Sequence, residues 1–461
     1  MEEKSNKVIK NMNLRENTQK GLYVKNFGCQ MNVYDGNRMK EMLEVQNYKT
    51  VDNFENADLI ILNTCHIREK ATEKIYSELG RIKKKIATKT TDTTIAVAGC
   101  VAQAEGKELV KRAPVIDLVF GPLTYHHLPE ILKEFEENKG NKKRTIIDIE
   151  PPKKDKFDVL PKRIKRNADV SSFLSVQEGC DKFCTFCVVP YTRGVETSRP
   201  INQIIKEANQ LISDGVKEII LLGQNVNAWS NVSSNNKKID FADLIYELSK
   251  LDIQRIRFTT SHPKDMNDKL IKSFNSLRKL QPYLHLPIQS GSDRILKKMN
   301  RNYSTKEYID IIDKLKSIKP DIAISGDFIV GFPGETEEDF EKTKNIVNRI
   351  GYAHAYSFKY SPRPGTPAAL MDDQVQEDIK SNRLITLQET IKENMLEYNT
   401  RFINKTLKVL VERKINAEGY YSGRSPYLQS VHFKSKKYQI GNIIDLKIKK
   451  INENSLLGEI I

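Results

Sequence analysis

No run in this chain approaches the about 20 consecutive apolar residues that a membrane-spanning helix needs. The first residues, MEEKSNKVIKNMNLRENTQK, also lack the apolar core of a secretory leader. The reading is therefore a cytoplasmic protein with no membrane partner and a disordered tail over residues 1–20. Cysteine is scarce, with six in 461 residues. In a reducing compartment these are read as metal ligands or reactive thiols rather than disulfides. Acidic residues are in deficit, 60 against 75 Lys and Arg, which leaves a formal charge of +15. That excess favours a polyanionic partner, most simply nucleic acid. It is equally what a Lys-, Asn- and Ile-rich composition produces by itself. No internal repeat is evident beyond an alternation of strands and helices.

What is present is enough hydrophobic residue, 39%, to bury real cores. The length predicts about three domains. Residues 21–137 alternate apolar runs with helical patterns: GLYVKNFGC, ADLIILNTC and TTIAVAGC each end at a cysteine. Such strand–helix units predict a doubly wound parallel α/β domain. Residues 138–168 are rich in Pro and basic residues around one short apolar run, TIIDIE. They read as a basic linker holding at most one strand, either solvated or touching a phosphate backbone. Residues 169–402 contain six candidate strands, SSFLSVQ, KEIILLGQN, RIRFTTS, YLHLPIQ, IAISGDFIVG and HAYSFKYS, most of them separated by helices. Six units predict a partial (β/α)6 barrel of the TIM type, with chemistry at the C-terminal ends of its strands. Thr336 is placed to cap the helix that follows GFPGE. Residues 403–461 hold about five short β-type runs with Gly at the turns, which fits a small closed β-barrel.

The cysteines fall in two sets of three. Cys180, Cys184 and Cys187 form C-x3-C-x2-C in GCDKFCTFC, on the loop after the first barrel strand. A structural zinc site wants four ligands, and no fourth Cys or His lies nearby. A [4Fe–4S] cluster also takes four cysteines as a rule, so three would leave one iron open to a cofactor or substrate. Cys29, Cys65 and Cys100 are 36 and 35 residues apart, and each directly follows an apolar strand. The strand ends of a parallel sheet line one crevice, so these three are expected to converge on a second cluster. The alternative is three separate buried thiols.

C-x3-C-x2-C with Phe186 before its last cysteine resembles the radical S-adenosylmethionine (SAM) enzymes. FGCQMNVYDGNRM, LNTCHIREKA, AGCVAQ, LLGQNVNAW, LHLPIQSGSDRILKKMNR, GDFIVGFPGETEEDF and YSPRPGTPAA are similar to motifs of the methylthiotransferases within that group, and GRSPYLQSVHF resembles their RNA-binding TRAM barrel. The resemblance runs along almost the whole chain. It implies two [4Fe–4S] clusters, with SAM chelated at the Cys180, Cys184 and Cys187 set and the transferred sulfur held at the Cys29, Cys65 and Cys100 set. It implies two SAM per product, an electron donor and a sulfur source. The implied substrate is tRNA carrying N6-isopentenyladenosine beside the anticodon, methylthiolated at C2 of that adenine. By the same resemblance Gln224 and Asn225 are candidates for the SAM amino group, and Ser290 for the ribose. The adenine-binding pattern is imperfect, with Asp327 at its first glycine, Gly334 where the acid belongs and Glu335 one place later, so no adenine contact is assigned there. Arg193 and Arg199 bind SAM or RNA, or pair with acids. His66, beside Cys65, is not needed as a ligand. Sister branches act on threonylcarbamoyl-adenosine in tRNA or on an aspartate of a ribosomal protein; GCQMN and LLGQNVN favour the isopentenyl branch. An iron–sulfur RNA-binding sensor without turnover is the reading from a different class, against which the SAM-pocket motifs argue.

Overall fold

The computed structural model describes residues 19–65, 69–86, 92–138, 145–152, 156–160, 163, 169–233, 235–416, 419–437 and 440–461. Residues 1–18 of the expected tail lie outside the described residues, and Lys20 already opens the first strand. The chain divides into two compact units, Met1–Ile164 with Tyr191–Arg193, and Lys165–Pro190 with Gly194–Ile461. Among the described residues no helix is long and apolar enough to cross a membrane.

The first unit is a six-stranded parallel sheet. Its strands are β1 (Lys20–Asn26), β2 (Tyr48–Thr50), β3 (Leu59–Thr64), β4 (Thr94–Gly99), β5 (Leu118–Phe120) and β6 (Ile146–Asp148), in the order β2-β1-β3-β4-β5-β6. Successive strand residues face opposite ways. Leu59 and Ile61 pack with Met39, Leu43 and Ile131, which lie on α1 (Gln30–Val45) and on α4 (Leu128–Glu137). Ile60 and Leu62 pack on the other face with Ile75, Leu79 and Leu109, from α2 (Glu69–Ile86) and α3 (Cys100–Arg112). The sheet is thus doubly wound, and its order reverses between β1 and β3, where such sheets open a crevice at their carboxyl ends. One boundary differs from expectation. The run TIIDIE supplies β6, which pairs with β5 in register Leu118↔Ile146, so the sheet continues past residue 137 into the stretch read as linker.

The second unit contains the expected six parallel strands: β7 (Ser171–Ser175), β8 (Glu218–Leu222), β9 (Arg255–Thr259), β10 (Tyr283–His285), β11 (Ala323–Val330) and β12 (His354–Lys359). They form two ladders, β9-β8-β7 and β10-β11-β12, stitched by backbone bonds such as Gln281 N to Ile256 O at 3.0 Å. Helices α5 (Ile201–Ser213), α6 (Phe241–Ser249), α7 (Asp268–Ser276), α8 (Thr305–Ile318) and α9 (Glu337–Ile350) occupy the successive crossovers, and α10 (Glu377–Thr400) follows β12. Thr336 caps α9 in a reciprocal capping box with Asp339, as its sequence context predicts. Strands β13 (Thr406–Lys414), β14 (Tyr420–Arg424), β15 (Ser430–Lys434), β16 (Ile443–Asn452) and β17 (Ser455–Ile460) close a barrel in the order β13-β14-β15-β17-β16.

This small barrel is not a third compact unit, because β9 holds it. Arg255 donates to Arg424 O at 2.9 Å and Lys408 O at 2.7 Å. Arg257 donates to Ser425 O and Pro426 O, each at 2.8 Å, while its Nε binds Glu218 at 2.8 Å. Both guanidiniums are buried. Removing one partner of such a buried pair costs about 3–5 kcal/mol, so Glu218 and the barrel carbonyls depend on these two side chains.

Candidate active site

The first cysteine set sits on the loop after β7. Gly179 opens it with φ 74°, and a Cβ there would run into Val195 O. Cys180 N donates to Gly194 O at 3.2 Å, and Cys187 N to Cys184 O at 2.9 Å. A segment after β10 clamps the loop from the other side. Thr185 N binds Met299 O at 3.1 Å, Thr185 Oγ1 binds Lys298 O at 2.9 Å, and Asn300 Nδ2 donates to Phe183 O at 3.0 Å. Burial pushes the Cys180 thiol up to about 11 and the Cys187 thiol up to about 12. Thiols in such surroundings give up protons only to a strong compensating charge. The buried Arg301 offers one, donating from Nη1 to Cys184 Sγ at 3.5 Å while Nη2 binds Pro287 O at 2.7 Å.

Polar groups from three strand ends surround this loop. Gln224 Oε1 accepts from Gly179 N at 2.6 Å, so that side chain shapes the start of the cysteine loop. Asn225 Nδ2 donates to Asp265 at 2.8 Å and to Glu196 at 3.4 Å, and its backbone N binds Gln177 Oε1 at 3.0 Å. Asp265 also pairs with Lys182 at 2.8 Å. His262 Nδ1 accepts from Lys264 N at 3.2 Å, which puts the ring proton of the neutral form on Nε2. Burial first, and then Arg301 and Lys182, push His262 down to about 2. Asn225 Oδ1, Ser261 Oγ and His262 Nε2 are buried without hydrogen-bond partners among the described residues. Buried polar atoms are rarely left so unless a ligand or water completes them. A polar small molecule at this mouth would find both acceptors and a donor. Ser290 is different: it is fully buried, its Oγ lies 3.4 Å from Thr343 Oγ1, and it accepts from Ser292 N at 3.2 Å. Glu335 accepts from Gly331 N at 2.7 Å and pairs with Arg383 at 2.9 Å, closing the turn after β11.

The second set stands at the carboxyl ends of β1, β3 and β4. Cys29 is the N-cap of α1, Cys65 follows β3, and Cys100 opens α3 after Gly99. The structure brings them together. Cys29 and Cys65 share a hydrogen bond that draws the Cys29 thiol down to about 6, with help from Arg193. Cys100, fully buried, is pushed up by burial and drawn back by a hydrogen bond from Arg193. Gly28 has φ 101°, and a Cβ on it would overlap Cys65 Cβ and lie 2.8 Å from Cys65 Sγ. Glycine is therefore what lets β1 and β3 deliver their cysteines to one place. Arg193 groups with this unit. Its Nη2 lies 2.8 Å from Asp35 Oδ2 and 3.2 Å from Asn32 Oδ1.

None of the six cysteines is joined in a disulfide. Among the described residues no three His, Cys, Asp or Glu side chains are placed as ligands of a single metal ion. A four-iron cluster binds each thiolate through a different iron, so its ligands stand further apart. Three free thiols and one buried guanidinium in each set fit such a group.

Comparison with known proteins decides the family. A relative from Sphingopyxis alaskensis, a tRNA-2-methylthio-N(6)-dimethylallyladenosine synthase, is 52% identical over 97% of this chain and 99% of its own length. Relatives of the same name from Rickettsia rickettsii and Agrobacterium fabrum are each 51% identical, over 96% and 95% of this chain and 100% and 97% of their own lengths. This chain belongs to the tRNA-2-methylthio-N(6)-dimethylallyladenosine synthase family. Family models agree: the radical SAM superfamily matches residues 174–347, and the uncharacterized protein family UPF0004 matches residues 21–121. In fold, the chain resembles the radical SAM methyltransferase TsrM from Kitasatospora setae, with a TM-score of 0.57 at 13% identity over 77% of both chains.

Several residues of this synthase-family site carry no local sequence signal. Arg301, His262, Glu196 and Asp265 reach the first set from outside GCDKFCTFC, where they meet Lys182 of the cysteine loop. Arg199 pairs with Glu207 at 2.6 Å and donates to Ser175 O at 3.2 Å, a role inside the core. His66 lies outside the described residues.

Proposed function

We propose that this chain methylthiolates C2 of N6-isopentenyladenosine next to the anticodon of tRNA, consuming two SAM, and that it does so in the cytosol. The observation that carries the reading is the pair of three-thiol sets, each with an arginine against it, in a chain at least half identical to named synthases along nearly its full length. In this reading Cys180, Cys184 and Cys187 hold the SAM-binding [4Fe–4S] cluster, and Cys29, Cys65 and Cys100 hold the auxiliary one. When bound, the two clusters and SAM supply the electron, the radical and the sulfur that no side chain can provide.

The chain's own residues then orient and exclude. Gln224 sets the Gly179 turn, which fixes where the Cys180 thiol points. Asn225 and His262 offer a buried acceptor and a buried donor to the polar end of SAM, and the Lys182–Asp265 pair holds the rim. Ser290, sealed among Thr343 and Ser292, supports that wall rather than reaching a ribose. Arg301 sets a fixed positive charge against Cys184 by donating to its Sγ. The exposed lysines of the small barrel suit a phosphate backbone. An electron donor and a sulfur source are further partners of this reading.

The test is mass spectrometry of tRNA nucleosides from cells lacking this gene. Loss of methylthio-isopentenyladenosine with accumulation of isopentenyladenosine is the expected result. Unchanged methylthio-isopentenyladenosine, or loss of a methylthiolated threonylcarbamoyl-adenosine instead, would reject it.

A further inference from the structure

The second cysteine set lies in a shell of buried fixed charge. Arg193 and Asp35 are 3% and 1% exposed, and their ion pair is 2.8 Å long. Lys156 is also buried, with its Nζ 3.6 Å from Asp35 Oδ1 and 3.2 Å from Pro122 O. Asn32 completes the frame. Its Oδ1 lies 3.6 Å from Cys29 Sγ and accepts from Arg193, its Nδ2 donates to Phe27 O at 3.0 Å, and its carbonyl accepts from Asn63 Nδ2 at 2.7 Å. The guanidinium therefore reaches Cys100 by a hydrogen bond and Cys29 through Asn32 and through space.

Arg193 and Lys156 both bring fixed positive charge to Asp35 in this interior. An oxidised four-iron core, a dication, held by three thiolates carries one net negative charge. A guanidinium fixed beside such a core offsets its negative charge and favours the further electron of the reduced state.

Resting on the assignment of Cys29, Cys65 and Cys100 as cluster ligands, we propose that Arg193 is a positioning residue whose guanidinium, aimed by Asp35 and Asn32, balances the charge of the second thiolate set and raises the reduction potential of the cluster held there. Asp35 opposes it through the same contact. The two side chains therefore set the potential with opposite signs.

The experiment uses the full chain with Cys180, Cys184 and Cys187 changed to Ala, so that only the second set can take up iron. It is reconstituted anaerobically and titrated with dithionite, with the reduced cluster followed by electron paramagnetic resonance. At a fixed potential Arg193→Gln is expected to raise the oxidised-to-reduced ratio at least tenfold, ~59 mV for a one-electron couple. Asp35→Asn is expected to shift the ratio the other way, and Arg193→Lys to stay near the parent. Full iron uptake with unchanged potentials would make Arg193 a purely structural residue and overturn the proposal. If Arg193→Gln takes up no iron, Arg193→Lys decides. Uptake restored by lysine supports the charge role, and uptake lost in both variants overturns it in favour of guanidinium shape. A parent that binds no iron would instead sink the ligand assignment itself.

Discussion

Changing Gly28 to Ala tests whether the second cysteine set is assembled as described. The backbone there has φ 101°, a region that costs a side-chain-bearing residue of order 1–3 kcal/mol. The new Cβ would overlap Cys65 Cβ, adding an overpacking cost of about 1–3 kcal/mol. The sum, about 2–6 kcal/mol, is within the 5–15 kcal/mol that holds a typical domain together, so the chain should still fold. The strain is relieved most directly by moving Cys65 away from Cys29. Anaerobic reconstitution should then fall from roughly eight iron per chain to roughly four. Reductive SAM cleavage should persist, and methylthiolated nucleoside should be lost. Gly215→Ala is the control, because its φ of 97° carries the backbone cost while its Cβ meets nothing within 4 Å. It should lose stability and keep its iron. A Gly28→Ala protein with full iron and parental methylthiolation would refute the claim that Gly28 sets the second site.

Cys184→Ala should abolish 5′-deoxyadenosine formation under dithionite, whereas Cys65→Ala should keep it and lose the methylthio product; product formation at the normal rate by Cys65→Ala would reject the division of roles. Lys447 and Lys450 are exposed on β16; if they meet tRNA phosphates, changing each to Ala should lower the slope of log affinity against log salt by about one, and an unchanged slope would remove β16 from the interface. Burial and neighbouring cations hold His262 far below the unfolded value of about 6.5. The unfolded state therefore binds the extra proton first, and stability is level above about pH 6.5 and falls by about 1.4 kcal/mol per unit below it. Urea denaturation at about pH 7.5 and about pH 5.5 should show a smaller loss for His262→Gln than for the parent, and equal losses would mean that His262 is protonated in the fold.

The cysteines, the six barrel strands and the closed C-terminal barrel were legible because each has a periodic or spaced signature. LLGQN and TTIAVAGC announce strands by their apolar runs and turns by their Gly and Asn. The charges that serve the cysteines were legible only in part. Arg193 was read as a ligand-binding or acid-pairing residue, and it pairs with Asp35, whereas Arg301 drew no reading and only tertiary approach buries it. Asn32 and Asp35 drew no reading of their own, yet both are buried. The alternation in RIRFTT points Arg255 and Arg257 to one side of β9, but nothing local says that side meets carbonyls of a barrel about 170 residues later. The same contact shows that deleting residues 404–461 is a poor probe of RNA binding. It would strip two buried arginines of their partners, and losses of affinity would mix with losses of folding.

The two cysteine sets solve one electrostatic problem in two unrelated frames. A set of three thiolates leaves an iron open to chemistry but places net negative charge inside the protein. At the first set the compensating charge is Arg301, bonded to Cys184, and its presence is one reason His262 stays neutral nearby. Lys182, another cation there, is tied to Asp265. At the second set the guanidinium is Arg193, held by Asp35, with Lys156 on the other oxygen of that carboxylate. Arginine suits both places because it does not deprotonate when buried and can spread its donors over a thiol and several oxygens. If both sets hold the clusters proposed for them, the open iron and the buried arginine beside it are two halves of one requirement, met at a loop of a partial barrel and at the switch point of a doubly wound sheet.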